Sequence, residues 1–93
     1  MEVESYESVW DAICDTPAQA ANMKARSDLL AALSDLVKSW GLTQDQAAAR
    51  LGITRPRLND LVRGKLSKFS LDALVNLTSA AGMTPEIKIA AAA

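Results

Sequence analysis

Six cationic side chains, Arg50, Arg55, Arg57, Arg63, Lys65 and Lys68, crowd into residues 50–68, where Asp60 is the one acid. Arginine carries a planar fork of donors that fits paired acceptors, on a phosphate or on the major-groove edge of guanine. Thr54 and Asn59 lie among these cations, and asparagine offers the donor and acceptor pair that adenine matches. The chemistry this set supports is recognition of a polyanion, not bond breaking. The chain has no histidine and a single cysteine, Cys14. An internal disulfide is impossible, and a zinc site, which draws on several Cys or His ligands, is not expected. No glycine-rich phosphate loop and no paired carboxylates in a plausible setting suggest an enzyme, and no cofactor is implied.

The elements that must position these side chains come from a chain of 93 residues with a net charge of −1. That length predicts a single domain over residues 1–93 with a modest core. The small net charge hides an asymmetry. Residues 1–40 hold seven acids against three bases, and residues 41–93 hold seven bases against four acids. A phosphate backbone responds to the local field, so the acidic N-terminal part does not weaken the basic patch as a binding signal. The aromatic residues are Tyr6, Trp10, Trp40 and Phe69, too few for a β-sandwich or barrel. The tryptophans and Cys14 read as packing residues. No apolar run of about 18 residues and no leader-like segment is present, so a cytoplasmic protein without a membrane partner is expected.

All four glycines, at 41, 52, 64 and 82, fall where a helical pattern stops, as expected of left-handed helix ends. Starts are legible too. Thr16-Pro17-Ala18-Gln19 reads as an N-cap, a proline at the first helical position and a capping box, which predicts a helix over residues 17–40. Thr43-Gln44-Asp45-Gln46 repeats the box and predicts a helix over residues 44–51. Thr54 caps residues 55–63, with Ile53 and Leu58 as a hydrophobic staple. Pro56 is tolerated there because first-turn amides lack helical acceptors. Ser70 caps residues 71–81, with Phe69 and Leu74 as a second staple. A shorter helix is predicted over residues 5–14 from Tyr6, Val9, Trp10 and Ile13. Residues 86–89, Glu-Ile-Lys-Ile, alternate like a strand, which needs a partner strand. The expected fold is therefore all-α. It is a five-helix bundle divided into an N-terminal segment 1–15, a helical core 16–82 and a C-terminal strand and tail 83–93, the strand pairing across a dimer through Ile87 and Ile89.

Within residues 44–61, a small residue (Ala48) sits mid-helix, Gly52 is at the turn, and Leu58 and Leu61 face Ala47, Leu51 and Ile53. Two helices that meet steeply across a tight turn need this arrangement. Such pairs also occur in proteins that never touch DNA, and the adjacent basic residues favour the DNA-binding version. Residues 42–65, LTQDQAAARLGITRPRLNDLVRGK, resemble the helix-turn-helix of the Cro-type (XRE) family of bacterial regulators, which has a lambda-repressor-like fold. Over most of the chain the resemblance narrows to HigA-like antitoxins.

The resemblance implies that the second helix of the pair, residues 55–63, enters the major groove of double-stranded DNA. Arg55 is then the expected guanine reader and Asn59 the adenine reader. Pro56 offers only apolar contact, as to a thymine methyl. Thr43, Gln44 and Thr54 lie at the two helix starts, and Arg57, Arg63, Lys65 and Lys68 are expected at phosphates, with Arg57 a further candidate base reader. Arg50 and Lys88 read as solvated surface, and Asp60 as a partner of Arg57 or Arg63. A homodimer on a palindromic operator is expected, with half-sites about 34 Å apart or a multiple of that. The family likeness also implies an antitoxin that represses its own operon and binds a RelE-like ribonuclease toxin. A stand-alone regulator without a toxin, or a helical protein-interaction module, remain the alternatives. Little chain is left over to build a ligand pocket.

Overall fold

The computed structural model describes residues 15–91. Four α-helices follow one another: α1 Pro17–Ser39, α2 Gln44–Leu51, α3 Arg55–Val62 and α4 Leu71–Ala80, with a 3-10 turn, Leu66–Lys68, between the last two. Their ends follow the local chemistry. The Gln19 amide donates to Thr16 Oγ1 at 3.1 Å. The expected box at that start is displaced by one residue, because Gln19 Oε1 accepts from the Asp15 amide and not from Thr16. At α2 the box is complete. The Gln46 amide donates to Thr43 Oγ1 at 3.2 Å, and the Thr43 amide donates to Gln46 Oε1 at 3.1 Å. Thr54 and Ser70 cap α3 and α4 in the same way.

The core lies where all four helices meet. Leu30, Leu33 and Val37 come from α1, Ala47, Ala48 and Leu51 from α2, Leu58 and Leu61 from α3, and Leu74 and Leu77 from α4. Phe69, 1% exposed, enters ahead of α4 and makes the second staple with the fully buried Leu74. Ile53 packs partly buried against the same cluster, as the first staple requires. The long α1 spans the assembly and packs on both α3 and α4. Arg26 of α1 adds a polar tie, its Nη1 donating to the Phe69 carbonyl at 3.1 Å across 43 positions of sequence. Thr78, buried on α4, satisfies its hydroxyl by donating to the Leu74 carbonyl at 2.8 Å.

One expectation lies outside the described residues and another is corrected. The helix predicted over residues 5–14 is the former; within the described residues four α-helices make the bundle. The strand predicted at residues 86–89 is not formed among the described residues, and residues 83–91 carry no regular structure. The physical reason is the lack of a ladder partner among the described residues: the elements beside the segment are helices, whose backbone groups are already bonded within their own helix. Ile87 and Ile89 are left 80% and 95% exposed. The segment runs beside α1 and α4, and with Ala25, Leu29, Leu71 and Val75 it borders an open groove of about 530 Å³, more concave space than the chain length suggested.

Candidate nucleic-acid interface

The two short helices α2 and α3 meet through a three-residue turn. Gly52 takes φ +71, a left-handed conformation that costs a residue with a Cβ and costs glycine little. The turn is closed by the Gly52 amide on the Ala49 carbonyl at 3.1 Å and the Ile53 amide on the Ala48 carbonyl at 3.0 Å. Ala48, 3% exposed, is the small residue that lets the helices approach, and Leu58 and Leu61 lock α3 onto the core at 1% and 0% exposure. The exposed side chains of α2 and α3 therefore stand on a framework that is buried from behind.

The N-terminal ends of both helices share one surface. Arg55 Nε donates to Gln44 Oε1 at 3.2 Å, and Arg55 Nη1 lies 3.6 Å from Asp45 Oδ2. Thr43, Gln44, Thr54, Arg55 and Pro56 are all exposed there. The first-turn amides of the two helices lack helical acceptors, so this end carries positive potential beside the Arg55 guanidinium. Arg63, Lys65 and Lys68 follow, exposed, around the far end of α3. Asn59 is half-buried on α3.

The chain matches the family model of a helix-turn-helix domain over residues 12–90, which takes in the whole described bundle but its last residue. The chain belongs to the helix-turn-helix domain family. No curated protein matches it. As a helix-turn-helix domain it has the fold of DNA-binding regulators, with α2 and α3 as the paired helices. None of the described helices is long and apolar enough to cross a membrane.

Several side chains of this helix-turn-helix domain stand differently from their expected places. Arg57 is turned inward: its guanidinium lies 4.4 Å over the Phe69 ring, and Nη1 donates to the Lys68 carbonyl at 3.1 Å. It is half-buried, and its donors are partly spent inside the protein. Asp60 pairs with Lys65 at 3.6 Å and not with Arg57 or Arg63, because the chain doubles back at Gly64 and brings Lys65 over the end of α3. Arg50 stays exposed, but it stacks 4.0 Å over the Trp40 ring, and Trp40 is half-buried at the rim of the core. Sequence reasoning missed the bonds from Arg55 to Gln44 and Asp45. Equivalent positions at the starts of two paired helices were the available signal, but only the crossing geometry brings them into contact.

Proposed function

We propose that this helix-turn-helix domain is a sequence-specific transcriptional repressor of the Cro-type (XRE) kind, acting in the cytoplasm. In this reading α3 lies in the major groove of double-stranded DNA. The observation that carries it is the bond between Arg55 and Gln44. It holds the arginine fork at the leading end of α3 and ties it to the helix start that would rest on the backbone. Arg55 reads guanine, Asn59 reads adenine one turn on, and Pro56 packs on a thymine methyl. Thr43, Gln44, Thr54, Arg63, Lys65 and Lys68 contact phosphates and set the register.

One helix covers only a few base pairs, so the repressor acts as a homodimer on a palindromic operator. The exposed Ile87 and Ile89, in a segment with strand-like alternation and no partner strand among the described residues, support pairing with a second copy. The likeness to HigA-like antitoxins supports the finer assignment, an antitoxin that represses its own operon and holds a RelE-like ribonuclease toxin. The acidic excess of residues 1–40 suits a basic partner surface. Co-purification with the product of a neighbouring small gene tests that part. If no such gene or product exists, the protein is a stand-alone regulator.

The DNA reading is tested by titrating the wild type and Arg55→Ala against the DNA upstream of the gene at two salt concentrations. Tight, salt-sensitive binding that Arg55→Ala weakens or relaxes supports a sequence reader. Equal, weak binding to every fragment overturns it in favour of a helical interaction module.

A further inference from the structure

We infer that Arg57 is a positioning residue that sets the phosphate-facing turn after α3, and that it is not itself a contact to DNA. The inference rests on the DNA-binding reading above and refines its base code. Arg57 stands on the third residue of α3, where its neighbours Arg55 and Pro56 are exposed, yet it is half-buried. Its guanidinium covers the Phe69 ring at 4.4 Å and donates to the Lys68 carbonyl at 3.1 Å. Arg26 of α1 donates to the Phe69 carbonyl at 3.1 Å and to Asn22 Oδ1 at 2.8 Å. Two arginines, from α1 and from α3, thus grip consecutive carbonyls of one short segment.

That segment needs the grip. It is the 3-10 turn Leu66–Lys68 together with Phe69, the residue that ends it; the turn has no side-chain cap, and turns of this length are poorly self-supporting. It carries Lys68 on its last residue and follows Lys65, which is itself held by Asp60 at 3.6 Å. A guanidinium stacked on an aromatic face and bonded to a backbone oxygen gains from both contacts. Swinging out to a phosphate would give up both contacts and free the turn that presents Lys68. Arg57 therefore acts on DNA through Lys68, and direct base reading narrows to Arg55 and Asn59 with apolar contact from Pro56.

The test is a double-mutant cycle on affinity for the upstream DNA, over a salt series, with wild type, Arg57→Ala, Lys68→Ala and the double variant. Arg57→Met is run in parallel, since it keeps an unbranched chain over the Phe69 ring and guards against a folding defect; thermal melts check each variant. The expected result is that Lys68→Ala reduces the salt slope by about 0.9, one phosphate contact. Arg57→Ala and Arg57→Met should each produce a similar reduction, and the double variant should bind no more weakly than Lys68→Ala alone. Additive losses, with a further fall of about 0.9 in slope for the double variant, would make Arg57 a phosphate contact in its own right. Selective loss of discrimination at one base pair would make it a base reader, and no change in folded Arg57 variants would leave it without a role. Each of these three outcomes overturns the inference while the DNA reading stands. Absence of specific binding by the wild type removes both.

Discussion

Gln44 opens α2, Arg55 opens α3, and the two side chains are bonded at 3.2 Å through the Gln44 carbonyl oxygen and the Arg55 Nε. A neutral acceptor thus orients the guanidinium, and Asp45 at 3.6 Å adds a solvent-exposed ionic contact that contributes little by itself. Replacing Gln44 with Ala should leave Arg55 charged but unaimed. The expected outcome is weaker binding to the specific site with almost unchanged binding to random DNA, measured by fluorescence anisotropy. Because both side chains are exposed, stability should move by no more than about 0.5 kcal/mol. A Gln44→Ala protein that keeps its full ratio of specific to random affinity would show that the pair has no part in readout.

The start and end of α2 are set by backbone chemistry. Thr43→Ala removes the acceptor for the Gln46 amide and should cost about 1 kcal/mol in urea denaturation. Gly52→Ala meets no atom within 4 Å, so its cost, about 1 kcal/mol, comes from placing a Cβ at φ +71 and not from a clash. Gly52→Asn should be milder than Gly52→Ala, since asparagine tolerates the left-handed region. The reverse order would mean that steric space, not conformation, governs the turn.

Leu61 is 0% exposed and sits where α3 meets the core. Leu61→Ala should cost about 2–5 kcal/mol, a large share of the stability of a domain this small. Thermal unfolding followed by circular dichroism is the check. A loss under about 1 kcal/mol would imply that the helices collapse into the space, against the close packing around Ala48 and Leu58.

Ile87 and Ile89 carry the proposed contact between copies. Sedimentation at tens of micromolar should give a dimer for the wild type and a monomer for Ile87→Lys with Ile89→Lys. Operator affinity should fall much further than affinity for a single half-site. If the double variant sediments as the wild type does, the copies associate through another surface, and α4 with its flanking groove becomes the next region to test.

The sequence alone determined where helices begin and end within the described residues. Thr16, Thr43, Thr54 and Ser70 cap where their types and neighbours indicated, α2 matches its predicted range, and the other three ends fall within one residue of it. Those signals are local: a cap acts on an amide three residues away, and an apolar stripe repeats every three or four. Only the tertiary structure decided which charged groups find each other. Arg57 went to Phe69 and Lys68, Asp60 to Lys65, Arg26 to the Phe69 carbonyl and Arg55 to Gln44. Long side chains can reach several neighbours at similar cost, and the choice is made by the helix crossing and by the doubling back at Gly64. The alternation at residues 86–89 gives no strand among the described residues for the complementary reason: strand pairing is a property of two segments, and no second one stands among those residues.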